Sequence, residues 1–156
     1  MNGGTLFEYL NNAGTLGVKE ATDFLRDIIE ALMYLHEKSI AHRDIKPENI
    51  VISTAGLAKL CDFGWSALVE SARTTFCGTL DYASPEIIQH KAYDWSVDIW
   101  CIGVLTYELF VGRAPFESGD RNQVMQKIVN VRYSSFRSTR QEFLSWKRFR
   151  SRPDNS

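Results

Sequence analysis

Three polar residues within one short segment have the side chains that proton transfer and metal binding require. Asp44 offers a carboxylate that can accept a proton, and Lys46 offers a cation that can neutralise developing negative charge. Asn49 offers an amide oxygen that suits a hard metal ion. Each residue taken alone is better explained by a solvated polar turn, so the surrounding motifs decide the interpretation.

Those surrounding motifs occur in a fixed order along the chain. Residues 42–49 read His-Arg-Asp-Ile-Lys-Pro-Glu-Asn, residues 62–64 read Asp-Phe-Gly, and residues 84–86 read Ser-Pro-Glu. Asp62 follows an apolar strand pattern, which favours a metal ligand over a simple turn cap. Together the three motifs resemble the catalytic loop, the magnesium motif and the activation-segment end of the protein kinase family.

The resemblance implies chemistry for the polar residues, namely transfer of the ATP γ-phosphate to a protein hydroxyl. Asp44 and Lys46 are the implied catalytic residues: Asp44 accepts the hydroxyl proton and Lys46 stabilises the transferring phosphate. Lys46, Glu48, Asn49 and Asp62 are the implied ATP-binding residues, and Asn49 and Asp62 the implied Mg²⁺ ligands.

Two further segments narrow the resemblance within the family. Residues 62–66 (Asp-Phe-Gly-Trp-Ser) and 73–82 (Arg-Thr-Thr-Phe-Cys-Gly-Thr-Leu-Asp-Tyr) resemble the activation segment of Aurora serine/threonine kinases. This likeness implies a regulatory phosphosite at Thr75, with Thr74 beside it, and Arg43 as the cation that pairs with the phosphate. An ordinary solvated loop is the alternative for both threonines.

Three more residues are implied to support the site. Thr79 is expected to contact the catalytic aspartate and to mark a preference for Ser or Thr. Asp98 is expected to hold the backbone of the catalytic loop, because a plain surface charge fits poorly in so apolar a helix. Glu86 needs a buried partner, for which Arg152 is the candidate. Glu108, in contrast, is interpreted as an ordinary surface or packing charge.

The elements that must position these residues are mostly helical. Apolar residues recur at helical spacing over residues 19–38, and nearly every face is apolar over 95–110, which predicts a buried central helix. The predicted fold is mainly α, like the C-terminal lobe of a protein kinase, with one small β-hairpin and the N-lobe absent. The other predicted elements are helices at 4–10, from residue 84 and over 122–131, and hairpin strands at 50–53 and 58–61.

The motifs of the other kinase lobe are not found in the sequence, which contains no G-x-G-x-x-G and no V-A-I-K lysine. Residues 1–131 are therefore predicted to form a partial kinase domain, the C-lobe, and residues 132–156 a divergent or truncated basic segment. Because the missing parts cover and align the ATP phosphates, the alternative to an enzyme is a kinase-like fragment that binds proteins without catalysis.

Charge and hydropathy argue against membrane and nucleic-acid roles. The net charge is −1, so no global field favours either partner. The longest apolar segment, residues 97–111, is too short and too charged to span a bilayer, and the first residues do not resemble a signal peptide. The basic segment after residue 131 lacks any nucleic-acid-binding motif, which favours solvated arginines over an RNA site.

Cysteine usage and the family resemblance bear on location and partners. Cys61, Cys77 and Cys101 are widely spaced, which predicts reduced thiols in a cytoplasmic or nuclear protein. The resemblance implies association with the spindle, centrosome or chromosomes. It also implies protein substrates with basic residues before the acceptor Ser or Thr, and an activating regulator protein.

Overall fold

Helices dominate the part of the chain that the computed structural model describes, residues 4–68 and 79–133. Two small two-stranded sheets and two short 3₁₀ turns lie between them. Within these ranges the helices are α1 (Leu6–Ala13), α2 (Val18–Glu37), α3 (Pro85–Ile88), α4 (Ser96–Val111) and α5 (Arg121–Val129). The strands are β1 (Ile40–Ala41), β2 (Ile50–Ile52), β3 (Ala58–Leu60) and β4 (Ala67–Leu68), and the turns are Pro47–Asn49 and Leu80–Tyr82.

Helix α2 supplies one wall of the core. Its helical apolar period buries Ala21, Phe24, Ile28 and Leu32 against α4 and the β3 strand. Full burial of a large aliphatic or aromatic side chain contributes about 1.5–3 kcal/mol, so this face holds α2 in place. The residues that follow the C-terminal end of α2 lead directly into the segment that carries the catalytic-loop motif.

Helix α4 is the central helix, but it is not buried on every side. Val97, Asp98, Cys101, Val104, Leu105 and Leu109 are buried, as the apolar pattern predicts. Ile99, however, is 55% exposed, so the expectation of a helix buried all round is wrong for one face. Composition cannot say which apolar face has a partner, because burial depends on what packs against it. No helix in the described ranges is long and apolar enough to cross a bilayer.

Two antiparallel ladders frame the catalytic-loop motif. The β2–β3 hairpin, with Ile50 opposite Leu60, lies where the alternating sequence predicts it. The second ladder pairs β1 with β4, with Ala41 opposite Ala67, and was not predicted. A two-residue strand is too short to show any period, so only the tertiary structure reveals this pairing. It joins the residues before the catalytic loop to those after the Asp-Phe-Gly motif.

Helix α3 begins at Pro85, as the Ser-Pro-Glu sequence predicts, but Ser84 does not cap it through its side chain. The Ser84 hydroxyl is buried without a hydrogen-bond partner in the described part of the chain. Proline at the first position suits a helix start because its missing N–H would be unpaired there anyway.

The C-terminus of α4 depends on Gly112, which has a left-handed φ of 79°. A Cβ atom built there would lie 2.7 Å from the carbonyl oxygen of Gly14, in the turn between α1 and α2. We expect Gly112→Ala to lower the free energy of unfolding by about 1–3 kcal/mol or more, because strain and a backbone clash add. Urea denaturation measures this loss. The adjacent exposed variant Arg113→Ala should stay within about 0.5 kcal/mol of wild type, and equal stabilities for both variants would contradict the prediction.

Candidate active site

The Asp44 carboxylate lies at the centre of the candidate site and is only 6% exposed. Its Oδ2 atom accepts a hydrogen bond from Asn49 Nδ2 at 2.7 Å and pairs with Lys46 Nζ at 3.0 Å. Asn49 Nδ2 also donates to the Asp44 main-chain oxygen at 2.8 Å. The 3₁₀ turn Pro47–Asn49 folds the chain back so that these contacts form. The carboxylate is thereby fixed in one orientation beside a cation.

Lys46 connects the catalytic-loop motif to the segment that begins at Thr79. Its Nζ atom donates to Thr79 Oγ1 at 3.1 Å, while it pairs with Asp44. Thr79 directly precedes the 3₁₀ turn Leu80–Tyr82. A base, a cation and a threonine hydroxyl are therefore adjacent, although Thr79 lies far from the other two in sequence.

Asp98 of α4 supports the catalytic loop from beneath and is fully buried. Its two carboxylate oxygens accept hydrogen bonds from the main-chain N–H groups of His42, at 2.9 Å, and Arg43, at 2.8 Å. Arg43 has a left-handed φ of 69°, a conformation that costs a non-glycine residue about 1–3 kcal/mol unless its surroundings hold it. The bonds to Asp98 supply that restraint.

His36, at the end of α2, is a member of this network that sequence reasoning missed. Its Nε2 atom lies 2.8 Å from Asp98 Oδ2, and its ring lies 5.4 Å from the Trp95 ring. No motif assigned His36, because it lies outside the catalytic-loop motif and meets Asp98 only through the packing of α2 on α4. It fixes the carboxylate that in turn holds the loop.

His42 lies under the Asp-Phe-Gly segment. Its ring centroid is 5.1 Å from that of Phe63, and its Nε2 atom lies 3.2 Å from the Cys61 carbonyl oxygen. Burial lowers the pKa of His42 below its ordinary value of 6.5, which favours the neutral ring. A depressed histidine pKa stabilises the fold above about pH 6.5, and this contribution is lost as the pH falls below that value.

Asp62 joins the site through its neighbour on the chain. The Cys61 N–H donates to the Asn49 carbonyl oxygen at 2.9 Å, which places the Asp-Phe-Gly motif beside the catalytic loop. Asp62 is exposed, has a left-handed φ of 59°, and accepts a hydrogen bond from the Gly64 N–H at 3.1 Å through Oδ1. Its second carboxylate oxygen is the one left for a cation.

The donor atoms at Asn49 and Asp62 fit a magnesium ion that is held partly by a nucleotide. The Asn49 amide nitrogen is used in its bonds to Asp44, so its carbonyl oxygen is available as a ligand. No group of three or more His, Cys, Asp or Glu residues in the described ranges could hold a metal by itself. Magnesium commonly takes one or two protein oxygens and completes its shell with phosphates and water, so two donors are sufficient.

The Arg43 side chain extends toward the residues that directly follow the Asp-Phe-Gly motif. Its Nε atom donates to the Trp65 carbonyl oxygen at 2.6 Å, and its Nη1 atom donates to the Tyr93 hydroxyl at 3.3 Å. Thr74 and Thr75 lie outside the described residues. Arg43 pairing with a phosphothreonine therefore stays a prediction.

Glu86 is half-buried beside α4. Arg152, its predicted partner, lies outside the described residues, as does Cys77. Cys101 is buried, donates to the Tyr82 carbonyl oxygen at 3.3 Å, and has a pKa raised by burial, so it is an inert packing thiol.

An acidic cluster borders the Thr79–Tyr82 segment. Its central residue is Glu108, which the sequence analysis interpreted as an ordinary surface or packing charge. Glu108 of α4 is half-buried and accepts a hydrogen bond from the Tyr82 hydroxyl. Burial raises the pKa of Glu108, and the negative charges of Glu48 and Asp81 raise it further. Glu48 itself is exposed on the 3₁₀ turn of the catalytic loop. Glu48, Asp81 and Glu108 are therefore close enough to interact electrostatically beside the Thr79–Tyr82 segment.

Comparison with known proteins gives consistent matches. The family described as "Protein kinase domain" matches residues 1–155. The chain is 45% identical over 130 residues to Aurora kinase C of Mus musculus, which covers 83% of this chain and 47% of that relative. It is 44% identical over 129 residues to Aurora kinase B-A of Xenopus laevis (82% and 36%) and 39% identical over 135 residues to Aurora kinase of Encephalitozoon cuniculi (84% and 50%). The chain thus spans half or less of the length of these curated relatives.

Proposed function

Since this chain belongs to the protein kinase domain family and is Aurora-like in sequence, we propose that it transfers the γ-phosphate of ATP to serine or threonine in proteins. The arrangement around Asp44 is the observation that carries the proposal. A buried carboxylate is oriented by an asparagine amide and lies 3.0 Å from a lysine ammonium. Phosphoryl transfer depends mainly on such positioning and charge neutralisation.

Each residue of the cluster has one task in the proposed reaction. Asp44 Oδ2 orients the substrate hydroxyl and accepts its proton, and Asn49 keeps that oxygen aimed into the site. Lys46 stabilises negative charge on the transferring phosphate. Thr79, held by Lys46 at 3.1 Å, borders the place where the acceptor hydroxyl must lie. The Thr79 hydroxyl supports a preference for serine and threonine over tyrosine as the phosphate acceptor.

Magnesium and ATP are part of the same proposal. Asn49 and Asp62 would hold the ion, Lys46 and Glu48 would border the nucleotide, and the bound ion would neutralise charge on the ATP phosphates. The left-handed backbone at Asp62 is the kind of strained conformation that occurs at functional sites. The Asp62 side chain is exposed, so its carboxylate is accessible to an ion from solvent.

The acidic cluster supports a preference for basic residues before the acceptor Ser or Thr. An arginine of the substrate that reached Glu108 and Glu48 would pair with carboxylates close to the segment that carries Thr79 and Tyr82. Glu108 is anchored by the Tyr82 hydroxyl, so its geometry is set before any substrate arrives.

We expect Glu108→Gln to raise KM for a peptide with arginine before the acceptor serine, by about fivefold for the loss of one ion pair. A peptide with glutamine in place of that arginine should show the same KM with both proteins. The pKa of Glu108 is raised above its ordinary value of 4.5. As the pH rises through this raised pKa, Glu108 loses its proton and gains the negative charge that attracts arginine. KM of the wild type for the arginine peptide should therefore fall. An unchanged KM in the variant would remove Glu108 from substrate recognition.

The proposal extends to regulation and location. Arg43, already directed toward the start of the activation segment, would hold a phosphate on Thr75 or Thr74, and an activating regulator would favour that ordered state. The relatives are named Aurora kinases, and we propose that this protein, like the family it resembles, works in the cytoplasm and nucleus at the spindle, centrosome or chromosomes.

Phosphate incorporation by the purified chain tests the function. The assay supplies ATP, Mg²⁺ and a serine peptide with upstream arginines, and the matched peptide has alanine at the acceptor position. Incorporation that needs both Mg²⁺ and the serine hydroxyl supports the proposal. Equal background with both peptides, together with binding of the peptide, would favour the alternative of a kinase-like module that binds proteins without catalysis.

A further inference from the structure

A polar pocket of about 520 Å³ lies between the loop that follows α4 and the C-terminal half of α5. Three cationic residues line it: Arg113 in the loop, Lys127 on α5 and Arg132 just beyond α5. Glu117 contributes a carboxylate to the same lining. The other polar groups of the pocket belong to Gln123, Gln126, Asn130 and Tyr133. The pocket contains none of the residues assigned to phosphoryl transfer.

The cations of this pocket lack acidic partners in the described part of the chain. Arg113 and Arg132 are exposed, and within residues 4–68 and 79–133 neither forms an ion pair. Lys127 Nζ donates to the Glu117 main-chain oxygen at 2.8 Å, which leaves two of its three protons for another acceptor. Three cations and one carboxylate give the lining residues a surplus of two positive charges.

The end of α5 does not account for this surplus. The last carbonyl groups of a helix attract cations, but they amount to only about half an elementary negative charge. Main-chain N–H groups already bond to them here. The Val131 N–H donates to the Ile128 oxygen at 3.0 Å, and the Arg132 N–H donates to the Lys127 oxygen at 2.8 Å. The surplus charge is therefore available to a ligand.

Backbone strain at Val131 places Arg132 in the pocket. Val131 has a left-handed φ of 50°, a conformation that is unusual for a β-branched residue. Glycine usually occupies this position at a helix end. The strained turn brings the chain back over α5, where Arg132 joins the pocket lining. Such strain persists where a function requires the geometry.

We propose that this pocket binds the phosphate group of a phosphoserine or phosphothreonine in a protein segment. A phosphate monoester carries a charge of about −1.5 to −2 at pH 7 and offers three strong acceptor oxygens. That charge matches the surplus of two, whereas a carboxylate would balance only half of it. Arg113 and Arg132 supply guanidinium groups, which bind phosphate oxygens in pairs, and Lys127 supplies a third cation.

The position of Glu117 favours a polypeptide as the source of the phosphate. The charge of Glu117 raises the pKa of Glu108, so the pocket lies near the acidic cluster that is proposed to take the arginine of the substrate. A peptide lying along that cluster can continue into the pocket. The volume of about 520 Å³ exceeds that of one phosphate group and leaves room for neighbouring residues. The choice of a peptide rests on the proposed function, whereas the anion site itself does not.

Fluorescence anisotropy with the full 156-residue chain tests the site in the absence of ATP and Mg²⁺. The probe is a labelled glycine–alanine peptide with one central phosphothreonine, and the matched peptide has threonine there. We expect the phosphopeptide to bind at least about tenfold more tightly, because charged hydrogen bonds form only with the phosphate. Equal Kd values for the two peptides would overturn the proposal. Since no phosphate is transferred, this result is independent of whether the chain is an active kinase.

Paired variants show whether the pocket causes the binding. Arg113→Gln together with Arg132→Gln should weaken phosphopeptide binding about tenfold. Lys91→Gln together with Arg121→Gln should leave it unchanged, because these two exposed cations do not line the pocket. Circular dichroism confirms that both variants fold, and both keep every basic residue after position 133. No loss in the first variant, or an equal loss in both, would show that the pocket is not the site.

Inorganic phosphate serves as the competitor that separates a polypeptide from a free ion. We expect it to displace the phosphopeptide only at concentrations at least about tenfold above the Kd of the peptide, since it lacks the neighbouring residues that fill the pocket. Displacement at a concentration equal to that Kd would assign the pocket to the free ion and would overturn the proposal.

Discussion

Asp44→Asn is expected to lower kcat for peptide phosphorylation by about 10²–10⁴-fold, the range that a positioned general base contributes. The asparagine keeps the size of the side chain but cannot accept the proton of the substrate hydroxyl. It also loses the ion pair with Lys46, which is 3.0 Å from the carboxylate in the wild type. Single-turnover phosphate transfer, measured with saturating ATP and peptide, gives the value directly.

Two measurements make the Asp44 prediction specific. ATP affinity, measured with a fluorescent analogue, should be nearly unchanged, because Asp44 is proposed to act on the acceptor hydroxyl. Asp23→Asn, which neutralises an exposed carboxylate on α2, should keep wild-type kcat. If the Asp44 variant retained more than a tenth of wild-type kcat, Asp44 would not be the base and the proposed mechanism would be wrong.

Asp98→Ala is expected to have the largest effect on stability, about 3–5 kcal/mol of unfolding free energy. The change leaves the main-chain N–H groups of His42 and Arg43 and the ring of His36 without the carboxylate that they share. The left-handed backbone of Arg43 loses its restraint as well. For a chain of this length the loss corresponds to a fall in Tm of about 6–20 °C, which scanning calorimetry resolves.

A neighbouring aspartate serves as the control for Asp98. Asp94 is exposed and accepts hydrogen bonds from the Ser96 hydroxyl and from the Ser96 N–H, the latter at 2.8 Å, so Asp94→Ala should cost no more than about 2 kcal/mol. Where Asp98→Ala does not fold, His36→Phe removes only one of the three bonds and should lower stability by about 1 kcal/mol while the protein stays folded. Wild-type stability in Asp98→Ala, or in His36→Phe, would show that the network does not hold the loop.

The candidate site could be located from the sequence because its residues lie in short, ordered motifs. Asp44, Lys46 and Asn49 are near neighbours on the chain, so a single turn can bring them together, as the bonds from Asn49 and Lys46 to Asp44 illustrate. Helices α2 and α4 were predictable for a related reason. Their apolar periods extend over many residues, and local spacing alone defines a helix.

The supports of the site were only partly predictable. Asp98 stood out because a charge in an apolar helix needs a buried partner, but its partner His36 has no distinguishing sequence feature. Glu108 was interpreted as a packing charge, and its place beside Tyr82 and Glu48 depends on how α4 lies against the loop after Thr79. Long-range contacts of this kind have no signature in local spacing.

The sequence by itself determined the family, the order of the helices and the residues that can do chemistry, because each is written in contiguous residues. Only the tertiary structure decided that His36 holds Asp98, that Glu108 lies near Glu48 and Asp81, and that one face of α4 lines an open groove. The physical reason is that burial and pairing depend on which distant segments meet. An apolar or charged residue has the same sequence signal whether its neighbour is protein or water.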